Sequence, residues 1–271
     1  IGFKGGQELS HSDFDSEILY SILFAILLSV IVPLYTFYIL KSKVGTPNAG
    51  VISAAYGSVS AVTFVTAVSF LENQGVTFGG HMVAIMAIME SPAIILAVFL
   101  ASAAKSNKKG NSLNLLHKSF TDGAQLLLIG AMIVGLFAGS TGERIMAPFS
   151  IDLFKGMLAF FLLDMGLMVA KNFKQVLNKP IYVLVYGIFA PPVHALLALI
   201  ICKIAGVDLG ETILLMILSA SASYIAVPAA LKYALPQANP SLYFGMSLGL
   251  TFPINIIIGI PLYTFIAKLF F

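Results

Sequence analysis

Long apolar runs alternate with short polar segments along the chain, and each run is long enough to cross a bilayer as a helix. Hydrophobic residues fill 59% of the 271 positions and charged residues only 10%, whereas soluble proteins average about 25% charged residues. The pattern predicts an all-α polytopic membrane protein. The eight predicted spans are Glu17–Leu40, Pro47–Phe70, Phe78–Ala104, Asp122–Ala138, Ala147–Ala170, Pro180–Ala205, Glu211–Leu231 and Ser241–Phe271.

Small polar residues interrupt two of these runs at positions where a membrane helix should continue. The interrupting residues are Ser58 and Ser60 in the second run, and Ser219, Ser221, Ser223, Tyr224 and Pro228 in the seventh. Inside a membrane, freed backbone groups are tolerated only where protein or water satisfies them. Broken helices of this kind hold substrate in secondary transporters, so the pattern predicts two broken helices that line a cavity.

The two interrupted runs also match each other as parts of an internal repeat. Gly57–Ser60 overlays Ala220–Ser223 at an offset of about 163 residues, and Pro92 overlays Pro253 near the same offset. At this offset two helices of the second half have no counterpart, so we expect two further helices ahead of residue 1. The prediction is ten helices in two inverted repeats of five, arranged as core and gate domains. The first repeat covers residues 1–104, a linker covers 105–121, and the second repeat covers 122–271.

The distribution of lysines predicts the orientation of the chain. Most lysines, among them Lys41, Lys105 and Lys171, fall on one face, whereas most acids fall on the other. Positive residues concentrate on the cytoplasmic side of membrane proteins. The net charge of +3 therefore reflects topology rather than nucleic-acid binding. We expect a multi-pass protein of the bacterial inner membrane.

The chemistry available at the two breaks favours a small ion. Half-helix N-termini offer free N–H groups and partial positive charge to an anion, and hydroxyls and unwound carbonyls suit a cation such as sodium. The first candidates are Ser58, Ser60, Ser221 and Ser223. The alternative is that these serines only allow close helix packing. Two breaks at matching places favour a binding site.

Three acidic or basic side chains inside apolar runs are further candidates. Glu90 is expected to bind or carry a cation, because buried acids in membranes are costly. Pairing with Lys232 is the alternative, and Thr251 is its counterpart in the repeat. We group Glu90, Ser219 and Thr251 as the candidate coupling site. Asp164 fits a structural or a functional role equally, and His194 fits a packed histidine better than a proton relay.

Enzyme motifs are absent from the sequence. It contains neither G-x-S-x-G nor H-E-x-x-H, and no His or Cys cluster with metal spacing. One cysteine excludes an internal disulfide. We predict that the chain is not an enzyme and that it needs no cofactor or metal beyond a possible sodium ion.

Several segments resemble the sodium-dependent bicarbonate transporter family of cyanobacteria. They are IGFKGG (1–6), GSVSAVTF (57–64), FLENQGVTF (70–78), MESPA (89–93), SASASYIAVPAALKYALPQANPS (219–241) and TFPINIIIGIPL (251–262). The resemblance implies ten helices, a homotrimer, and a core domain that moves against a gate domain. It also implies a possible PII-like regulator at the cytoplasmic face. By resemblance the anion would contact Ser60, Ala61, Ser221, Ala222, Ser223 and Tyr224.

One position departs from that family. Where the family has an aspartate after the last serine, this chain has Tyr224, which is uncharged at neutral pH. A cation site there would lose about one charge. Glu90 stands where the family has another aspartate.

The leading hypothesis is sodium-coupled symport of bicarbonate by an elevator-type mechanism in the lipid membrane. A proton-coupled transporter or antiporter of a small carboxylate is the first alternative. A membrane sensor or scaffold that does not transport is the second.

Overall fold

A computed structural model of the chain describes residues 2–10, 16–103, 123–177, 179–228, 231 and 235–271, and this part is helical without any strand. The helices are α1 (Gly2–Ser10), α2 (Ser16–Val44), α3 (Thr46–Gly57), α4 (Ala61–Asn73), α5 (His81–Ala103), α6 (Gly123–Ala147), α7 (Phe154–Leu177), α8 (Ile181–Ala205), α9 (Leu209–Ala220) and α10 (Pro240–Phe270).

Five stretches of the described chain are helical, long and apolar enough to cross a membrane. They are Ile18–Val44, Thr46–Asn73, His81–Ala101, Ile181–Ala205 and Pro240–Phe270. Shorter apolar helical stretches cover Ile129–Ala138 and Leu209–Ala220. These findings confirm a multi-pass helical membrane protein. The predicted linker 105–121 lies outside the described residues.

The core is built around two short helices that are buried on all sides. In α3 every residue from Ala49 to Gly57 is buried, and in α9 every residue from Gly210 to Ala220 is buried. A helix that is apolar all round belongs inside a bundle. In contrast, α2 and α8 expose large apolar side chains such as Leu19 and Ile204 on one side, as expected of helices that face lipid.

Three prolines lie where a helix begins rather than where one breaks. Pro47 lies in the first turn of α3 and Pro240 in the first turn of α10, where a missing N–H costs no hydrogen bond. Pro228 likewise lies in a helical turn that begins at residue 226. The seventh run is therefore interrupted at residues 221–225, ahead of Pro228, and the serines rather than the proline mark the break.

Helix α10 contains two π-helical turns, Ser247–Thr251 and Asn255–Gly259. Such turns insert an extra residue into the helical ladder and occur often at functional sites. The first turn is mostly buried, and in the second turn Asn255 and Gly259 are buried. The two turns rotate Thr251 and Asn255 toward the neighbouring α8 and α9, where each side chain reaches a backbone carbonyl.

Helices α1 and α6 approach each other closely because glycines line their contact. A Cβ added at Gly135 would overlap the carbonyl oxygen of Phe3, and one added at Gly6 would overlap that of Met132. We therefore expect Gly135→Ala to destabilise the protein by about 1–3 kcal/mol through overpacking. The measurement is the melting temperature in detergent.

Gly130→Ala in the same helix is the matched control, because a Cβ at Gly130 meets no atom within 4 Å. It should leave the melting temperature unchanged or raise it, since alanine favours helix by about 0.5–1 kcal/mol over glycine. Equal melting temperatures of the two variants would contradict the close approach of α1 and α6.

Candidate functional site

The first break separates α3 from α4 in the middle of the bundle. Ser58 follows the end of α3 with extended backbone, at φ −91° and ψ −174°. Ser60 precedes α4 at φ −105° and ψ 108°, and its hydroxyl accepts a hydrogen bond from the Thr63 N–H at 3.2 Å. This is ordinary N-capping by serine. The sequence thus ends one helix and starts the next within three residues.

The second break follows α9 in the same way. Ser221 has extended backbone at φ −80° and ψ 168°. The Ser223 hydroxyl accepts from the Val227 N–H at 3.3 Å, as a cap of the following turn. Thr46 and Gly57, the ends of α3, correspond to Leu209 and Ala220, the ends of α9, at the offset of about 163 residues.

Two hydrogen bonds join the breaks directly. The Ser60 N–H donates to the Ser221 hydroxyl at 2.9 Å, and the Ser223 N–H donates to the Ala55 carbonyl at 2.8 Å. The residues joined lie more than 160 positions apart in the sequence. The predicted anion-binding serines are therefore brought together at one place, where the two breaks cross. We call residues 58–61 and 221–224 the crossing.

Two hydroxyls at the crossing are buried but make no hydrogen bond to the described residues. One belongs to Ser58, which is 1% exposed. The other belongs to Tyr224, whose ring packs edge-on against Phe252 and whose oxygen lies near Ser60. Buried polar groups normally have partners. Two such groups at one place indicate that a ligand or water belongs there.

The crossing is rich in donors and carries no charged side chain. Residues 54–63 and 218–227 contain no Asp, Glu, Lys, Arg or His. Ala61 and Val62 lie in the first turn of α4, where backbone N–H groups have no helical acceptor. Ala61 is also exposed, unlike the ten residues before it, so that the first turn of α4 is reachable from outside the packed core. Ala222 is buried.

The predicted coupling residues occupy different surroundings. Thr251 is fully buried; its hydroxyl donates to the Gly187 carbonyl at 2.9 Å and pairs with the Tyr56 hydroxyl at 2.6 Å. That carbonyl is free because Pro191, four residues later, has no N–H. Ser219 is also buried and lies two residues before the crossing. Glu90 is half-buried on α5, and Lys232, its alternative partner, lies outside the described residues.

Two further side chains contact the backbone carbonyls directly before the crossing. The sequence alone did not place either of them in the site. Asn255 donates from Nδ2 to the Ala220 carbonyl at 2.8 Å, and His194 lies with Nδ1 3.1 Å from the Ser219 carbonyl oxygen. An amide inside the apolar stretch PINIII was the available signal for Asn255. His194 is fully buried, and its Nε2 makes no hydrogen bond to the described residues. Asp164 is exposed on α7.

The described residues contain no group of three His, Cys, Asp or Glu side chains that could hold a metal ion. A sodium ion needs no such group, because hydroxyl and carbonyl oxygens also bind hard cations. Both kinds of oxygen are present at the crossing.

Comparison with known proteins identifies the family of the chain. A search of curated proteins found no match. A family model described as the Na+-dependent bicarbonate transporter superfamily matches residues 1–268, nearly the whole chain. This is a family of transporters and not of enzymes, in agreement with the absence of enzyme motifs. The chain belongs to the Na+-dependent bicarbonate transporter superfamily.

Proposed function

We propose that the protein is a secondary transporter that carries bicarbonate together with sodium, and that bicarbonate binds at the crossing. The observation that carries this proposal is the pair of interlocked breaks, where the Ser58 and Tyr224 hydroxyls and the first turn of α4 lie together without any charged side chain. Helix N-termini with free N–H groups favour anions. Membership of the superfamily supports the same substrate.

The carbonyl groups near the second break support an anion rather than a bare cation at the crossing. The Leu218 carbonyl accepts from the Ser221 N–H at 3.1 Å and from its hydroxyl at 2.7 Å. The Ser219 and Ala220 carbonyls are reached by His194 and Asn255. Because each of these oxygens already accepts at least one hydrogen bond, they are less available to a bare cation than free carbonyls would be.

The neutral crossing also explains why a cation should travel with the anion. Moving an isolated charge through the bilayer is costly, and the crossing has no side-chain charge to offset it. A sodium ion bound nearby would neutralise bicarbonate during transport. Glu90 remains our proposed coupling acid. Ser219 and Thr251 could join it only by exchanging hydrogen bonds that they already make.

The mechanism we propose is of the elevator type on two inverted repeats. The equal lengths of α3 and α9, 12 residues each, and their equivalent serine breaks support the repeat. The close glycine contact of α1 with α6 is suited to a rigid support against which the crossing moves. A homotrimer, a PII-like partner and a location in the bacterial inner membrane remain predictions.

Uptake of labelled bicarbonate into proteoliposomes tests the proposal. We expect uptake by the wild-type chain that requires an inward sodium gradient. Uptake of a small carboxylate that follows the proton gradient and ignores sodium would favour the proton-coupled alternative. Tight anion binding without any flux would favour a sensor. Absence of bicarbonate uptake under every gradient, from folded protein, would contradict the proposal.

Ser58→Ala gives a sharper test, because the Ser58 hydroxyl makes no hydrogen bond to the described residues. Its removal should cost little stability but should raise the KM for bicarbonate by about threefold to tenfold, the loss of one neutral hydrogen bond. An unchanged KM with unchanged melting temperature would show that Ser58 does not contact the anion.

A further inference from the structure

The C-terminal end of α9 is held by side chains from two other helices. A helix leaves its last carbonyls without intrahelical donors, and here that end is fully buried. His194 of α8 faces the Ser219 carbonyl, and Asn255 of α10 donates to the Ala220 carbonyl. The two carbonyls directly before Ser221 are therefore both capped from outside the helix.

The protonation of His194 follows from its contacts. Nδ1 lies 3.1 Å from the Ser219 carbonyl oxygen, which can only accept, so that Nδ1 must carry a proton. Nε2 is buried and makes no hydrogen bond to the described residues. An unpaired N–H there would be costly, which favours the neutral ring with its proton on Nδ1. The Ser219 hydroxyl lies 3.2 Å from the His194 carbonyl oxygen, a reciprocal contact between α8 and α9.

The orientation of the Asn255 amide is fixed by Tyr263. The Tyr263 hydroxyl donates to Asn255 Oδ1 at 3.2 Å, which turns Nδ2 toward the Ala220 carbonyl. Gly259 lies between them on the same helix face, and a Cβ there would stand 2.6 Å from Oδ1. The glycine therefore keeps space for the amide. Both Asn255 and Tyr263 are buried.

The first break lacks this arrangement. At the end of α3 the positions equivalent to Ser219 and Ala220 are Tyr56 and Gly57, and no side chain of the described residues donates to either carbonyl. At the repeat offset of about 163 residues His194 corresponds to Ile31, and in the alignment that pairs Pro92 with Pro253 the position equivalent to Asn255 holds Ile94. Neither side chain can donate a hydrogen bond. The two caps thus belong to the second half alone.

We infer that His194 and Asn255 are positioning residues that set the anion selectivity of the crossing. They occupy the Ser219 and Ala220 carbonyl oxygens, so that an ion at the crossing meets N–H and hydroxyl donors instead of carbonyl oxygens. Without the two caps, the freed oxygens repel an anion and attract a cation. The inference rests on the proposed binding of bicarbonate at the crossing.

The test compares His194→Leu with His194→Asn and measures bicarbonate and sodium affinity on the full chain. Asn places an amide N–H near the position of Nδ1, whereas Leu removes the donor. We expect His194→Leu to raise the Kd for bicarbonate about tenfold, as for one lost buried hydrogen bond, and His194→Asn to stay within about threefold of wild type. The Kd for sodium should stay the same or fall in both variants.

Asn255→Leu and Gly259→Ala provide an independent second pair, since both displace the amide that reaches Ala220. Both should weaken bicarbonate binding without weakening sodium binding. Parallel loss of both affinities would indicate a general structural role and would overturn the inference. Equal bicarbonate Kd values for His194→Leu, His194→Asn and wild type would overturn it as well.

The ¹⁵N NMR signal of His194, assigned by its absence in His194→Asn, gives a readout that does not depend on transport. We expect the Nδ1–H tautomer. The Nε2–H tautomer would overturn the inference even if bicarbonate binds. Wild-type protein that is folded but binds no bicarbonate would contradict the proposed function and the inference together, whereas normal wild-type binding with unaffected variants would contradict the inference alone.

Discussion

Ser221→Ala is expected to lower the initial rate of sodium-driven bicarbonate uptake by at least about tenfold. The Ser221 hydroxyl accepts the Ser60 N–H at 2.9 Å and is one of two direct links between the breaks. Its loss leaves a buried N–H unsatisfied, which costs about 1–3 kcal/mol and is equivalent to about 10- to 100-fold in an equilibrium constant. The free N–H also loses its fixed direction at the start of α4. The measurement is labelled uptake in proteoliposomes.

Ser53→Ala is the matched control for this change. Ser53 is a fully buried serine of α3, and its hydroxyl donates at 2.9 Å to the Gly50 carbonyl of the same helix. Since that carbonyl also accepts a backbone hydrogen bond within the helix, the substitution should change uptake by no more than about twofold. If both variants lose the same uptake activity, the loss is caused by removing any buried serine. The hydrogen bond between the breaks would then not explain the effect of Ser221→Ala.

The positions of the breaks could be predicted from the sequence because their signal is local. Ser-x-Ser interrupts an otherwise apolar run, and serine competes with the helical backbone for hydrogen bonds. The same local reasoning misplaced the effect of Pro228. Whether a proline breaks a helix or begins one depends on where the preceding helix ends, and here α9 already ends at Ala220.

The partners of the site residues could not be predicted, because they come from distant parts of the chain. Ser60 and Ser221 are 161 positions apart, and Asn255 and Ala220 are 35 positions apart. Such contacts depend on how the helices pack and on the two π-helical turns of α10, which shift its contact face. A periodicity of 3.6 residues would have assigned a different face to Asn255.

The two halves of the crossing also differ in their hydrogen bonds, which the matching serines of the repeat did not predict. Matching serines suggested equivalent breaks, but the Ser221 hydroxyl has two partners whereas the Ser58 hydroxyl has none among the described residues. The second break is capped by side chains and the first is bounded by α2. An ion bound between them would therefore meet a Ser58 hydroxyl that is free to reorient and a Ser221 hydroxyl whose direction is fixed by its two hydrogen bonds.

Gly57→Ala is expected to lower bicarbonate uptake by at least about tenfold, because the residue directly before Ser58 is packed against Pro33 of α2. A Cβ at Gly57 would lie 2.5 Å from Cδ and 2.6 Å from Cγ of Pro33. The pyrrolidine ring cannot rotate away as a flexible side chain would. Overpacking of this kind costs about 1–3 kcal/mol, and the displacement would fall on the first break. Uptake rate and melting temperature should both be measured.

The double variant Gly57→Ala/Pro33→Gly separates packing from backbone conformation. Gly57 does not have a positive φ, and the equivalent residue of the second break, Ala220, already carries a Cβ. Glycine is therefore required at position 57 because of the Pro33 ring and not because of the break itself. We expect the double variant to transport within about threefold of Pro33→Gly alone, since glycine at position 33 removes all three contacting ring atoms and contacting residues are energetically coupled. If the double variant is as inactive as Gly57→Ala, the contact with Pro33 is not the reason for the glycine.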